Sequence, residues 1–274
     1  MDDEMIRAPR DNAILEEIHR IERQCKESGL AWVDPECDAD DKALYIDPLN
    51  PPEYANDIPV VEWRRPHEIF TSDEPFMMKD YSNPGDVKQG ILNDQWLLGS
   101  FATMGINPEL LKNLIVHDGI KDGFAVFQFF KNGRWNFVKV DTRIPYNVTT
   151  KTPLYGHCPD PQEFWVPLIE KAYAKLHGCY EILNEGNIPE ALVDMTGGVS
   201  EKYDLTHPET KAAIESGQFF KDLKKFNQQG FLIVCENVVE DEDGKPVEGY
   251  GVKGIQFNKS YGFGRLADFP DMNV

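Results

Sequence analysis

The side chains that could supply a nucleophile and a base for covalent catalysis are five cysteines and six histidines. A cysteine attacks as its thiolate, which an adjacent imidazole or a helix N-terminus stabilises. The one adjacent pair, His157-Cys158, lies in a Gly- and Pro-rich stretch, and sequence neighbours rarely face each other. The cysteines are odd in number and include no CxxC pair, so neither a disulfide framework nor a zinc site is indicated. They are Cys25, Cys37, Cys158, Cys179 and Cys235. We interpret them as reduced core or loop thiols.

The elements that would position a site are clearest in the first two thirds of the chain. Isoleucines at helical spacing predict an amphipathic helix over residues 13–28 that ends at Gly29. A loop-dominated segment, 34–66, follows, and then a buried helix around Trp96. Aromatic-rich runs on either side of Asn132-Gly133 predict a hairpin, and 161–176 a helix with Asp160 as its N-cap.

The last third of the sequence has a different pattern. A glycine pair, Gly197-Gly198, precedes a predicted helix over residues 208–228. Apolar runs at 231–235, 250–257 and 261–266 then predict β-strands. The sequence therefore predicts a helix-rich part followed by a strand-rich part, with the break near the glycine pair.

A decapeptide, Gln89-Gly-Ile-Leu-Asn-Asp-Gln-Trp-Leu-Leu98, resembles the active-site signature of the calpain family of cysteine proteases. Gln89 matches the glutamine of the family's oxyanion hole, and Trp96 its aromatic residue. Further collinear segments resemble the family at Asp34–Glu36, Trp63–Ile69, Glu163–Trp165, Glu170–Lys175, Gly178–Glu181 and Thr196–Gly198. The resemblance runs from about residue 29 to about residue 257 and implies a papain-like α+β fold with two lobes.

The catalytic positions of this family are substituted here. Gln95 stands where the family has its nucleophilic cysteine, and an amide is too poor a nucleophile to attack a peptide carbonyl. Aligning the tyrosine of Glu248-Gly-Tyr250 with the family's Gly-His-Ala-Tyr strand puts Glu248 at the histidine. Asp268 is the nearest equivalent of the asparagine, although no Asn-Pro-Trp sequence is present. The resemblance therefore implies a protease core without an intact triad.

An open alternative is that the two carboxylates carry out acid–base catalysis of a different reaction from that of a cysteine protease. Two acids can split their pKa values and take different roles, so Glu248 and Asp268 could act as such a pair. No nucleophile, metal-ligand set or phosphate loop stands near them in the sequence. The simpler interpretation is sequence drift after catalysis was abandoned.

The resemblance also implies one calcium site, because Asp86 and Glu163 stand where the family's first lobe has its calcium-binding carboxylates. Calcium takes several oxygen ligands, and the turn at 81–86 could supply carbonyls. An equally weighted alternative is that both are ordinary acids, at a loop and at a helix start. The chain ends before the family's second-lobe calcium site, so we expect a truncated second lobe without that site.

The amino-acid composition disfavours some classes of binding partner. Acidic residues outnumber basic ones by 47 to 28, giving a net charge of −19, which disfavours nucleic acid and anionic lipid. The excess of acidic residues could equally have the single role of keeping the protein soluble. The N-terminus has no apolar signal region, and no apolar stretch is long enough to cross a bilayer, so we expect a cytoplasmic protein.

The sequence thus predicts an arm or helix at 1–28, a first calpain-core lobe at 29–196 and a truncated second lobe at 197–274. The function it favours is that of a catalytically inactive protein that binds a protein or peptide partner. The resemblance implies cytoskeletal structures as such a partner, because degenerate relatives are commonly associated with them. The alternative is an active, calcium-dependent cysteine endopeptidase of the same family.

Overall fold

An amphipathic helix, α1 (Asn12–Ser28), begins the computed structural model, which describes residues 12–58, 61–79, 87–239, 241–242, 247, 249–251 and 254–267. The predicted helix and its end before Gly29 are confirmed. Its apolar stripe is buried in a cluster made of Ile14, Ile18, Ile21, Cys25, Trp32, Phe124 and Val126. The helix is therefore part of the core, which its sequence period predicts.

The α1 helix packs against an antiparallel sheet of three strands, β2 (Ile115–Gly119), β3 (Phe124–Lys131) and β4 (Arg134–Asp141). The predicted hairpin is confirmed: β3 and β4 pair along their whole length, from Phe124 opposite Asp141 to Lys131 opposite Arg134. The turn between them has φ of 55° at Asn132 and 75° at Gly133. Two consecutive positive φ angles suit the turn that matches the twist of paired strands, which explains why Asn-Gly occurs there.

A second small sheet has the order β1-β5-β6 and consists of β1 (Val61–Arg64), β5 (Ile144–Asn147) and β6 (Thr152–Pro153). Two one-turn helices, α2 (Asp41–Leu44) and α3 (Pro66–Ile69), lie before and after β1. The segment expected to be mostly loop therefore contains short regular elements. Its Pro and Asp residues start these elements, as Asp40 does by accepting a hydrogen bond from the backbone of Lys42.

The described residues of this part of the chain also form four α-helices of two or more turns: α4 (Gln95–Gly105), α5 (Pro108–Leu114), α6 (Trp165–His177) and α7 (Ile188–Thr196). The helix predicted around Trp96 is confirmed as α4. The predicted N-cap Asp160 is wrong, because α6 begins five residues later. Residues 162–164 pair instead with Phe76, whose N–H donates to Gln162 O at 3.0 Å and whose carbonyl accepts from Phe164 N at 3.1 Å. Because of this pairing, the predicted first turn, residues 161–164, is not part of the helix.

Backbone contacts divide the chain into a first unit, Met1–Gly198, and a second unit, Val199–Val274. The described part of the second unit contains α8 (Pro208–Glu215), α9 (Gln218–Gln228), β7 (Val234–Glu236) and β8 (Ser260–Gly262). The single helix predicted at 208–228 is broken at Gly217, which has a φ of 73°. Among the described residues of the predicted strand at 250–257, the pairing is limited to a bridge from Tyr250 to Gln256.

The side chain of Asn258 forms hydrogen bonds with backbone groups that follow β7 in the second unit. Its amide nitrogen donates to the carbonyls of Val239 and Val247, at 3.0 and 2.9 Å, and its amide oxygen accepts from Val239 N. A side chain thus satisfies backbone groups that a longer sheet would pair. The α+β class is confirmed, although both three-stranded sheets of the described residues lie in the first unit. None of the described helices is both long and apolar enough to span a bilayer.

The interior of the first unit contains an ion pair between Lys171 of α6 and Asp141 at the end of β4. Lys171 Nζ donates to Asp141 Oδ1 at 2.7 Å and to Arg143 O at 2.6 Å. Burial favours a raised pKa for Asp141, but Lys171 and Arg143 together lower that pKa to about 2. Burial lowers the pKa of Lys171 in spite of Asp141. Each charge can therefore be buried only because its oppositely charged partner lies beside it.

Replacing Lys171 by methionine should be strongly destabilising, because it removes one of the two cations that pair with the buried Asp141 carboxylate. We expect the free energy of unfolding to fall by about 3 kcal/mol or more, measured by urea denaturation followed by circular dichroism. Lys121→Met is the matched control, since it removes an exposed ion pair with Glu74 and should change the midpoint little. Equal shifts in the two variants would contradict this role of Lys171.

Candidate functional site

Gln95, the residue at the expected nucleophile position, is the first residue of α4. Its side-chain amide donates from Nε2 to Oε1 of Gln89 at 3.0 Å. Gln89 in turn donates from its own Nε2 to the carbonyl of Leu92 at 2.7 Å. The two glutamines predicted to lie together therefore do so, and they are joined by a hydrogen bond between their side chains.

Trp96 follows Gln95 and is held from three sides. Its indole N–H donates to the carbonyl of Leu183 at 2.9 Å, and its ring meets Tyr173 edge-on with ring centres 6.1 Å apart. A third neighbour is Gly186, where a Cβ would overlap the indole ring. The interpretation of Trp96 as a packing residue is thus favoured over a direct ligand contact, because its one polar atom already has a partner.

The segment that carries Gln89 is fixed by backbone pairing with residues 154–157. Lys88 and His157 exchange two hydrogen bonds, of 2.8 and 2.9 Å, and Ile91 N donates to Leu154 O at 3.2 Å. Gly90 lies between them, and a Cβ there would overlap the backbone of Leu154 and Tyr155. The pairing is close because residue 90 has no side chain, and it sets where Gln89 stands relative to α4.

Two acidic residues that the sequence did not single out lie directly behind this site. Asp94, the residue before Gln95, and Glu170 of α6 are both completely buried, and their carboxyl groups interact with each other. Asp94 stands inside the decapeptide, and Glu170 within a helical segment that also matched the family. For Glu170, the signal that could have identified it is an acid directly after the apolar pair Leu168-Ile169 of α6.

The other predicted site residues are only partly covered by the structure. Glu248, Asp268 and Asp86 lie outside the described residues. Glu163 is buried, and its Oε1 accepts a hydrogen bond from the backbone N–H of Lys79 at 2.8 Å. Within the described residues, no three acidic, histidine or cysteine side chains are grouped to hold a metal ion. Glu163 alone does not make up a calcium ligand set, and the calcium site stays a prediction.

The cysteines of this chain are poorly suited to act as nucleophiles. Cys25, Cys158 and Cys179 are buried, and Cys37 and Cys235 are partly buried. Burial is the main cause of a raised pKa in Cys25, Cys37, Cys179 and Cys235. Because a raised pKa keeps a thiol protonated at neutral pH, these four side chains lack the thiolate that nucleophilic attack requires.

Two carboxamides at a helix start can donate and accept hydrogen bonds but cannot ionise. Each side-chain amide has two N–H donors, and the bonds to Gln89 and Leu92 use one from each glutamine. One donor of each therefore remains for an external acceptor such as a peptide carbonyl. The arrangement fits binding, and residue 95 itself offers neither a nucleophile nor a titratable proton.

The sequence matches known proteins over most of its length. Residues 32–262 match the family described as calpain family cysteine protease. The chain is 34% identical over 226 residues to the calpain-2 catalytic subunit of Homo sapiens, covering 80% of this chain and 30% of that protein. It is 35% identical over 223 residues to the calpain-type cysteine protease ADL1 of Oryza sativa subsp. japonica, covering 78% and 10%.

A third relative is calpain-12 of Mus musculus, which is 41% identical over 185 residues, or 66% of this chain and 25% of that protein. The chain thus spans between 10% and 30% of the length of these curated relatives. The matched region contains both glutamines, α4, α6 and the two small sheets of the first unit.

Adding a methyl group at Gly90 should disturb the site, because the new Cβ would meet backbone atoms that cannot rotate away. We expect Gly90→Ala to lower the free energy of unfolding by about 1–3 kcal/mol, read from urea denaturation. Hydrogen exchange should also quicken at the amides of Lys88 and His157. Gly264→Ala, where the added Cβ meets open space, is the control. Unchanged protection in Gly90→Ala would show that the pairing does not depend on this glycine.

Proposed function

This chain belongs to the calpain family of cysteine proteases, and from that premise we propose that it is a catalytically inactive member that binds a protein or peptide partner. One observation carries the proposal. The residue at the expected nucleophile position is a glutamine whose side chain is hydrogen-bonded to Gln89, the expected oxyanion-hole residue. The two side chains are therefore held against each other, and both are of a type that can bind but does not react.

The chemistry of peptide hydrolysis explains why this exchange matters. A papain-like reaction needs a thiolate and an imidazolium that hold each other in the charged state. Gln95 cannot form the first, and the sequence alignment gives Glu248 at the position of the second. A carboxylate there would repel a thiolate instead of stabilising it. Because both groups are replaced, a small rearrangement of the site cannot restore the thiolate–imidazolium pair.

An active, calcium-dependent endopeptidase is the competing function. It would require one of the five cysteines to act in place of residue 95. The raised pKa of four of them argues against this role, and Cys158, the fifth, is buried. Calcium enters the proposal only through Asp86 and Glu163, and the binding role described next does not depend on it.

A binding role draws support from the amide donors that remain at Gln89 and Gln95. An extended peptide can dock through its main-chain carbonyls without being cut. The net charge of −19 favours a basic protein surface over nucleic acid or anionic lipid. We extend the proposal to a partner of the cytoskeleton in the cytoplasm, an extension that rests on the family resemblance alone.

The catalytic part of the proposal predicts that purified protein leaves casein uncut at any calcium concentration. A thiol-directed epoxide should label no residue at the site, as followed by mass spectrometry. Gln95→Cys alone should remain inactive, because no imidazole is available to form the ion pair, whereas Gln95→Cys/Glu248→His is the matched variant that restores both groups. Turnover by the wild-type chain that a single Cys→Ser change abolishes would refute inactivity.

The binding part predicts that the two glutamines contribute to holding the partner. A hydrogen bond contributes about 1 kcal/mol net, so Gln89→Ala/Gln95→Ala should weaken binding by roughly tenfold or more. The measurement is a quantitative pull-down from native extract, with partners identified by mass spectrometry. Gln24→Ala/Gln229→Ala, which removes two exposed glutamines elsewhere, is the control. Equal recovery of every partner by both variants would move the binding surface away from this site.

A further inference from the structure

Asp94 and Glu170 bring two carboxyl groups together in the interior of the first unit. Both side chains have no solvent exposure. Asp94 precedes the first residue of α4, and Glu170 lies in the middle of α6, so the contact joins two helices. The two carboxyl groups lie close enough to interact, and no donor of the described residues lies within hydrogen-bonding distance of either Asp94 oxygen or of Glu170 Oε2.

A hydrogen bond between the two carboxyl groups requires that one of them carries a proton. Two carboxylates offer acceptors and no donor, so as a doubly charged pair they could not hydrogen-bond. Both Asp94 oxygens and Glu170 Oε2 would then be buried without a donor. Among the described residues, neither carboxyl forms an ion pair, and Gly156 N donates to Glu170 Oε1 at 3.1 Å.

We propose that Asp94 and Glu170 share a single proton in the folded protein and that this protonated pair positions the start of α4 beneath residue 95. The inference concerns a buried group, and it stands whether or not the chain hydrolyses peptides. Neither residue can touch a substrate, so both are positioning residues.

The carboxyl pair is connected to the segments that carry Gln95 and Gln89. Through Asp94 it holds the residue next to Gln95. Through Glu170 it accepts from Gly156, and the next residue, His157, pairs with Lys88 beside Gln89. A Cβ at Gly156 would lie 3.0 Å from Glu170 Oε1, so the loop comes close because residue 156 is glycine. Loss of the proton would therefore loosen the helix start and the Gln89 segment together.

The direction of the pH effect follows from burial. Burial raises the pKa of Asp94, and burial together with the charge of Asp94 raises that of Glu170 well above the ordinary value. The titratable groups that face Glu170 from neighbouring segments are Tyr155 and Tyr180, whose pKa values burial also raises, so both stay neutral. Folding at neutral pH then takes up a proton, and this stabilisation declines as pH rises above the unfolded carboxyl pKa of about 4.

A direct test is the infrared spectrum of the wild-type protein in heavy water near neutral pH. The carbonyl stretch of a protonated carboxylic acid should be present, although exposed acids are ionised there. It should disappear in Asp94→Asn/Glu170→Gln, which keeps the shapes and removes both titratable groups. It should persist in Glu190→Gln, which alters an exposed acid of α7. A wild-type spectrum without this band would overturn the proposal, even if the double variant failed to fold.

The second measurement is the pH dependence of urea unfolding between about pH 6 and pH 8. Uptake of one proton on folding makes the unfolding constant rise by about tenfold for each pH unit, relative to a protein without the pair. We expect this difference in slope between the wild type and Asp94→Asn/Glu170→Gln, and no difference between the wild type and Glu190→Gln. Parallel slopes for the wild type and the double variant would overturn the shared proton.

Discussion

Lys171 and Asp141 fix the position of α6, and much of the first unit depends on where that helix lies. The lysine reaches the end of β4 with donors to Asp141 and Arg143, in a region closed to water. With α6 held in this way, its neighbouring residue Glu170 meets Asp94, and Tyr173 meets Trp96. The hydroxyl of Tyr173 also donates to Asp194 of α7 at 2.9 Å. One buried ion pair therefore sets the geometry of three helices.

Local pattern predicted the elements whose residues decide their own conformation. The Asn132-Gly133 turn, the α1 stripe and the apolar α4 helix all follow from spacing and turn chemistry. The α6 helix shows where this reasoning ends. Glu170 and Lys171 are charged residue types, for which the sequence alone favours exposed positions on a helix. Both are buried, because their partners come from distant segments. The first turn predicted after Asp160 is likewise lost to the pairing of Gln162 and Phe164 with Phe76, which lies 86 and 88 positions away.

The candidate site was predictable in position but not in its internal bonds. The family resemblance brought Gln89 and Gln95 together, whereas no sequence pattern states which amide donates to which oxygen. The fold makes few demands on residue 95, which is partly exposed and contacts a side chain only six positions away. Trp96 and Asp94, on either side of it, are tied to Leu183 and Glu170. The framework of such a site can therefore persist while the residue at its centre changes in chemical type.

The docking of α1 on the β2-β3-β4 sheet has a consequence for how the chain reaches this fold. The thiol of Cys25 donates to the carbonyl of Asp122, a contact that spans 97 positions. During synthesis α1 emerges long before the strands that cover its isoleucines. Until those strands emerge, its apolar stripe is exposed to water or bound by a chaperone. Contacts of such long range pay a loop-closure cost before they stabilise anything, which slows folding. The nascent chain is consequently most prone to aggregation in the interval before β3 has left the ribosome.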